Sequence, residues 1–339
     1  MKKSKSIINK IWFSLIGGII FLILFIVSVN YNFFNLFGGM PSLQDLEKPE
    51  SELSSELYSS DNKLLGKYFR YNRSPVTFDE LSEELVTTLL VTEDIRFYEH
   101  SGIDLKGLVR ASYGVGKNIL TFGSSGLEGG GSTITQQLAK NLFKIRQEKR
   151  GTLSRVPFLG LIISKVKEWI VAVKLEGFYT KKEILSMYLN TAEYGSNSYG
   201  IKVAAKTYFN KLPSELNYNE SSIIVGLLNK PTKYNPYFNP DNAIEKRAEI
   251  FYNLYKYEIV DKQIYDSLKS MGLELNYKVE NQNVGQATYF RTVVRNYLIA
   301  WAKENDYDLF SDGLKIYTTI NSQMQEYAEN SVKEQMKRL

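Results

Sequence analysis

The sequence lacks cysteine altogether and contains one histidine, His100, in 339 residues. Without cysteine the chain forms neither disulfides nor thiolate zinc sites. With a single imidazole it cannot assemble a metal site from several histidines. A bound metal would therefore depend on oxygen ligands.

The chain also has little surplus charge once its first ten residues are set aside. The net charge is +5, of which Lys2, Lys3, Lys5 and Lys10 contribute +4 with no acid among them, which leaves +1 for the rest of the chain. Duplex-binding proteins carry a broad basic footprint. The charge pattern therefore argues against nucleic acid as a partner.

A long apolar run follows these lysines. Ile11–Val29 is 19 residues without a charge, and as a helix it spans roughly 28 Å at about 1.5 Å per residue, close to the hydrocarbon thickness of a bilayer. The positive-inside bias places residues 1–10 in the cytoplasm and the chain after residue 30 outside. A cleaved signal peptide is the alternative. The long apolar core, without a small-residue cleavage site after it, favours an uncleaved transmembrane signal anchor over 11–29.

The remaining chain is predicted to be mainly α. Residues 30–75 are predicted to form a juxtamembrane linker with a short hairpin, 76–255 a helical domain, and 256–339 a C-terminal region with a helix, a strand and a short terminal helix. A capping box at Thr77 predicts a helix that runs into Glu93. The glycine-rich residues 111–131 are predicted to be a mobile loop.

The first candidate for chemistry is the segment Glu93–Gly102. An acidic pair, Glu93 and Asp94, ends an apolar helix and is followed by Phe97 and His100. A carboxylate against an apolar wall has its pKa raised and becomes a usable general base near neutral pH. The alternative is a solvated helix end.

The second candidate is a glycine-rich helix start at residues 130–141. Such a start offers backbone N–H groups and the helix dipole to an anion. The spacing places several polar side chains on one helix face that suits phosphate and sugar oxygens: Thr133, Gln137, Lys140, Asn141 and Lys144. The alternative is an ordinary solvent-facing strip. The segment is not a nucleotide P-loop, because it lacks the Gly-Lys-Ser/Thr ending.

The third candidate is the pair Lys165 and Glu168, which lie side by side on a helix. By spacing alone, an ordinary surface ion pair is the simpler interpretation.

Together these segments resemble glycosyltransferase family 51, the peptidoglycan glycosyltransferase module of class A penicillin-binding proteins and monofunctional transglycosylases. The first motif, Glu-Asp-x-x-Phe-x-x-His-x-Gly, matches residues 93–102. The second matches residues 130–141, and the fourth, Lys-x-x-Ile-Leu-x-x-Tyr-Leu-Asn, matches residues 181–190. The third, Arg-Lys-x-x-Glu, is matched from Lys165 to Glu168, but Ser164 replaces the arginine.

The resemblance implies a lysozyme-like helical head with a membrane-facing jaw. It implies polymerisation of lipid II into β-1,4-linked glycan by inversion, with undecaprenyl diphosphate as the leaving group. Glu93 would be the general base and Glu168 the second catalytic carboxylate, with Asp94, Phe97 and His100 supporting the Glu93 pocket. The substrate-binding residues would be Ser132, Thr133, Gln136, Gln137, Lys140, Asn141, Lys144 and Lys165. Glu93 is expected to face these residues across a common cleft.

The resemblance leaves three roles open for Glu168: orienting the cations, assisting departure, or holding a divalent ion such as Mg²⁺ or Mn²⁺. It implies no organic cofactor. The implied partners are lipid II, the lipid-linked glycan chain, the bacterial cytoplasmic membrane and other proteins of cell-wall synthesis. Ser164 leaves the diphosphate pocket one cation short, and Lys167, Arg155 or Lys144 are the candidates to replace it.

Two features at the edges of the motifs complete the expectations. The apolar run 156–163 is predicted either to dip into the membrane or to be buried core. A complete transpeptidase motif set is absent from the sequence, so no transpeptidation is expected of these residues. The competing functions are a lytic, lysozyme-like glycosidase and an inactive membrane-bound scaffold.

Overall fold

The computed structural model describes residues 2–47, 53–69, 75–111, 131–143, 145, 151–279 and 286–338. These residues are mostly helical, with one three-stranded sheet, so the predicted mainly α fold with small β elements is confirmed. They form two compact units, Met1–Pro49 with Arg96–Ile184 (unit 1) and Glu50–Ile95 with Leu185–Leu339 (unit 2).

Unit 1 is helical in its described residues. Its elements are α1 (Lys2–Asn30), α2 (Leu43–Glu47), α4 (residues 105–111), α5 (Ile134–Leu142), α6 (Pro157–Phe178) and the first turn of α7 (Lys181–Thr191). The helices α5 and α6 pack on each other and bury Leu138, Ala139 and Ala172. This packing fixes the two helices that carry the second and third motifs.

The helix α1 carries the predicted membrane span. Its residues Asn9–Asn30 are long and apolar enough to cross a bilayer, and this part of the helix leaves its apolar side chains exposed. The C-terminal end of α1 is packed, because Val29 is buried in a cluster with Phe37, Ile163 and Val166. The start of the predicted linker is therefore packed against α6.

The helix α6 spans Pro157–Phe178, so Lys165 and Glu168 lie on one helix, as their spacing predicted. It starts with Pro157 in its first turn, a position where the missing N–H of proline costs nothing. Most of the apolar run 156–163 is exposed, with Phe158 at 73% and Leu161 at 61%, and only Ile163 is buried. The buried-core interpretation of this run is therefore wrong except at Ile163.

Unit 2 contains α3 (Glu83–Glu93), α8 (Ile201–Phe209), α9 (Tyr218–Asn229), α10 (Pro240–Lys256) and α11 (Lys262–Ser270). The helix α3 packs against α9 and α10. The Thr77 capping box is present but starts only a 3₁₀ turn, Phe78–Glu80. The α-helix begins six residues later than predicted, where the Ser82 hydroxyl accepts from the Leu85 N–H.

The sheet of unit 2 brings together residues from the beginning and the end of that unit's sequence. Strand β1 (Ser55–Tyr58) pairs antiparallel with β2 (Leu64–Tyr68), which confirms the predicted hairpin, and parallel with β3 (Lys315–Tyr317), which confirms the predicted C-terminal strand. The helix α12 (Thr288–Glu304) contributes Leu298 and Ala302 to the core beneath the sheet. The chain continues into α13 (Ser322–Met336).

Two predictions stay as they were. Residues 112–130, most of the predicted mobile loop, lie outside the described residues. The domain boundaries at 10, 29, 75 and 255 also remain predictions.

Candidate functional site

The start of α5 is held by two side chains that were predicted to bind substrate. The Thr133 hydroxyl caps the helix, accepting from the Gln136 N–H at 3.2 Å, and donates to the Gly102 carbonyl at 2.8 Å. The Gln136 amide donates to the same carbonyl at 3.1 Å. Both side chains are buried. Thr133 is therefore not part of an accessible strip, and the structure gives both residues the task of tying the second motif to the first.

The accessible face of α5 is formed by the remaining predicted residues. Gln137 and Lys140 are partly exposed and Asn141 is exposed, as their spacing on a helix requires. They present an amide, an ammonium and a second amide on one side of the helix. Lys144, the last member of the predicted strip, lies outside the described residues.

The predicted pair Lys165 and Glu168 forms an ion pair in unit 1. The Lys165 Nζ lies 2.7 Å from Glu168 Oε2, and the two side chains are 36% and 1% exposed. The same ammonium donates to the Ser132 hydroxyl at 2.7 Å. Because the carboxylate is buried, this is not an ordinary surface pair, and breaking it would strand a buried charge. The arrangement aims a fixed, accessible cation at the start of α5.

A second lysine organises the first motif, and sequence reasoning did not assign it to the site. Lys181 Nζ donates to the His100 carbonyl at 2.6 Å and to Glu176 Oε1 at 2.8 Å. It also lies 4.2 Å from the centre of the buried Phe97 ring, a cation–π contact. Glu176 additionally accepts from the Thr135 hydroxyl at 2.6 Å. The signal was present, since Lys181 opens the fourth motif.

Within unit 2, Glu93 is the last residue of α3 and is partly exposed, whereas Asp94, its C-cap, is buried. The phenol of Tyr188 on α7 is 2% exposed. Its pKa is raised well above the usual value, first by burial and then by the negative charge of Glu93. The Glu93 carboxylate and a neutral phenol of the fourth motif therefore share one neighbourhood.

Asn190 of the fourth motif binds the backbone of Val76, in the segment that precedes α3. The Asn190 amide accepts from the Val76 N–H at 3.0 Å and donates to the Val76 carbonyl at 2.8 Å. This two-way contact fixes α7 to the segment that leads into α3.

The candidates to replace the missing arginine at Ser164 differ in their surroundings. Lys167 is buried and its ammonium donates to the Gly39 carbonyl at 3.1 Å. Arg155 is exposed at the end of a short 3₁₀ turn, and Lys144 lies outside the described residues. The replacement remains a prediction.

A divalent cation at Glu168 remains a prediction. Among the residues that the structure describes, no three His, Asp or Glu side chains group together as metal ligands. The Glu168 carboxylate is already neutralised by Lys165. No step of the reaction proposed for this chain depends on a metal.

The described residues thus combine a candidate membrane span with a lysine that a buried carboxylate fixes beside the start of α5. The transglycosylase family model matches residues 61–255, more than half of the chain. The chain therefore belongs to the transglycosylase family. The predicted family is confirmed.

Penicillin-binding proteins 1A from several bacteria are similar to this chain in sequence. Penicillin-binding protein 1A of Escherichia coli is 33% identical over 294 residues, which cover 87% of this chain and 32% of the relative. Penicillin-binding protein 1A of Aquifex aeolicus is 33% identical over 304 residues, 90% of this chain and 39% of the relative. The chain thus spans about a third of the length of these relatives.

Among solved structures, penicillin-binding protein 1A of Haemophilus influenzae matches with a TM-score of 0.43 and 21% identity, covering 83% of this chain and 29% of that one.

Proposed function

We propose that this chain polymerises lipid II into β-1,4-linked glycan at the outer face of a bacterial cytoplasmic membrane. The observation that carries the proposal is the Lys165–Glu168 pair, which fixes an accessible ammonium beside Ser132 at the start of α5. A transferase needs such a cation where an anionic leaving group develops charge. A glycosidase that releases a sugar hydroxyl does not.

In the proposed reaction Glu93 takes the proton from the 4-hydroxyl of the acceptor sugar. The freed oxygen attacks the anomeric carbon of the donor chain, and the bond from that carbon to the diphosphate oxygen breaks. The electron pair leaves with undecaprenyl diphosphate, and the configuration inverts from α to β. The phenol of Tyr188 lies near enough to Glu93 to be influenced by its charge, and the buried Asp94 follows Glu93 in the chain.

The departing diphosphate is held by the residues of unit 1. Lys165 and Lys140 supply positive charge, and Ser132, Gln137 and Asn141 supply hydrogen-bond donors. A lysine about 4 Å from a phosphate oxygen gains on the order of 4 kcal/mol of Coulomb energy at an effective dielectric near 20, before desolvation. Glu168 keeps Lys165 in place, which leaves the cation ready without reorganisation when the charge appears.

In this proposal the enzyme binds its lipid-linked substrate at the outer surface of the membrane. The basic residues 1–10 stay in the cytoplasm, α1 crosses the bilayer and the catalytic residues lie outside. Exposed apolar side chains lie just after α1, at the start of α6 and on α4. They are Phe33 and Phe34, Phe158 and Leu161, and Leu105 and Val109, respectively. These side chains rest in the lipid interface, where the undecaprenyl tail of the substrate lies.

Incubation of the full chain with lipid II in vesicles tests the proposal. Wild-type protein should produce long glycan strands and free undecaprenyl diphosphate. Glu93→Gln should abolish polymerisation while the protein remains folded, because the amide cannot accept the acceptor proton.

The competing functions give different results in the same assay. Cleavage of finished peptidoglycan without polymerisation would identify a lytic glycosidase. Equal, negligible turnover by wild type and Glu93→Gln would identify a scaffold. Either outcome rejects the proposal.

A further inference from the structure

The segment that follows the transmembrane helix is bound along α6 from Ile163 to the C-cap Tyr179. We call residues 30–47 the strap. Side chains of α6 and its C-cap donate hydrogen bonds to it: Lys174 to Asn30 Oδ1 at 3.1 Å, Lys167 to the Gly39 carbonyl at 3.1 Å, and Tyr179 to the Leu46 and Glu47 carbonyls at 2.8 Å each. The strap is thus a part of the folded unit rather than a loose linker.

The strap is itself held in one conformation. The Asn32 side chain accepts from the N–H groups of Phe37 at 3.0 Å and Gly38 at 2.7 Å. On its other side the Leu153 N–H donates to the Leu36 carbonyl at 2.9 Å. Gly151 lies so close that a Cβ there would be 2.3 Å from the Gly38 nitrogen. Only glycine at 151 allows this approach.

Lys167 connects the strap to the cation of the site. Its side chain is 2% exposed, although an ammonium is costly to bury without partners. It lies one residue before Glu168 and two after Lys165, and successive helical residues point about 100° apart. The helix is therefore held on one side by Lys167 and the strap, and on another by Lys165 and Ser132 of the α5 start.

We propose that Lys167 is a positioning residue for glycan transfer. By holding α6 to the strap, it sets the rotation of the helix and thus the point in space where the Lys165–Glu168 pair presents its ammonium. Lys167 acts through that pair. Because its ammonium is buried against the Gly39 carbonyl, it is not available to the diphosphate as a replacement for the arginine missing at Ser164. The inference rests on the proposed function of the pair.

The kinetic consequence follows from when the ammonium is needed. Charge on the leaving diphosphate develops in the transition state, so a displaced Lys165 stabilises that state less while substrate binding changes little. A misplacement of about 1 Å can cost about 100-fold in rate. Loss of the Lys167 contact should therefore lower kcat more than it raises KM.

The first test compares Lys167→Met with wild type and Lys246→Met in the full anchored chain, using lipid II in vesicles. Lys246 is a largely covered lysine of α10 in unit 2 and serves as the matched control, since its side chain is 12% exposed. Lys167→Met should lower kcat about tenfold or more, with KM within about threefold of wild type. Lys246→Met should leave both unchanged.

The second test displaces the strap without altering α6. In Gly151→Ala the new methyl group forces residues 36–38 away. The same selective loss of kcat is expected, and the double variant with Lys167→Met should be little worse than either single one, because both break the same connection. This variant also serves if Lys167→Met does not fold.

The outcomes separate the two proposals. If wild type polymerises lipid II and folded Lys167→Met or Gly151→Ala keeps the wild-type kcat, or if KM alone rises, the positioning role is overturned and the proposed function stands. Additive losses in the double variant would also overturn it. If wild type does not polymerise lipid II, the proposed function fails first.

Discussion

At the scale of single residues, the site depends on the burial of the Glu168 carboxylate, which fixes the position of the Lys165 ammonium. Spacing alone makes Lys165 and Glu168 an exposed pair of little energetic worth. Burial of Glu168 to 1% exposure makes the ammonium a fixed element instead, because separating the pair would leave a charge unsolvated. The chemistry assigned to Lys165 follows from this difference.

Replacement of Lys165 by methionine tests that assignment. We expect kcat/KM on lipid II to fall about 100- to 1000-fold, the loss typical when a group that stabilises a developing anion is removed. Lys262→Met is the control, since Lys262 is an exposed helix lysine, 61% accessible, in an ion pair with Asp266. A Lys165→Met protein that is folded and as active as this control would exclude Lys165 from the leaving-group site.

Asp61 gives a prediction for pH. Its carboxylate accepts from the Ser322 N–H at 2.9 Å and the Ser322 hydroxyl at 2.6 Å, and these hydrogen bonds lower its pKa below the usual 3.8. A lowered folded-state pKa stabilises the fold above pH 3.8 and loses this effect as the pH falls through the folded value. The melting temperature of Asp61→Asn should therefore be lower than wild type near pH 7.

The difference should shrink as both proteins are melted at successively lower pH values below about 4. A gap between the two melting temperatures that stays constant across this range would show that the charge of Asp61 is not responsible.

At the scale of elements, local signals predicted most of the helices and strands. The hairpin Ser55–Tyr68 and the helix start at Thr133 both depend on neighbours within a few residues. Where a segment's role is set by distant partners, the sequence was less informative. Lys181 bonds a carbonyl at His100, 81 residues away, and a backbone acceptor leaves no trace in a motif.

The errors have similar causes. An N-cap side chain turns back toward the helix backbone, so Thr133 could not belong to the exposed strip that its spacing suggested. The apolar run before Ser164 has no helical alternation of polar and apolar residues, so periodicity could not show that it opens α6. Pro157 was the available start signal.

The contact between the first motif and α6 gives a prediction for stability. Gly102 has a φ of +88°, and a Cβ there would lie 2.9 Å from the Ala172 backbone. Gly102→Ala should lower the free energy of unfolding by about 1–3 kcal/mol, from backbone strain and the steric contact together. The measurement is chemical denaturation of the detergent-solubilised protein.

Gly177→Ala is the matched control for this prediction. Gly177 lies in α6 with nothing within 4 Å of a new Cβ, so alanine should raise stability by about 0.5–1 kcal/mol through helix propensity. Equal effects of the two substitutions would show that the Gly102 backbone is not constrained as described.

At the scale of the whole molecule, the absence of cysteine allows the membrane orientation to be measured directly. We expect Ser4→Cys to be protected from a membrane-impermeant maleimide in intact cells, whereas Tyr237→Cys, at a side chain that is 55% exposed, should be labelled. Both positions should react once the membrane is permeabilised. Labelling of residue 4 alone in intact cells would reverse the proposed orientation.

The first turns of α6 have a practical consequence. Phe158, Leu161 and Ile162 keep apolar side chains accessible on a part of the molecule that is separate from α1 in sequence. A variant without the transmembrane anchor should therefore aggregate in buffer that lacks detergent. Such a preparation would need detergent or lipid to stay in solution, because these exposed apolar side chains belong to α6 of unit 1 and remain after the anchor has been removed.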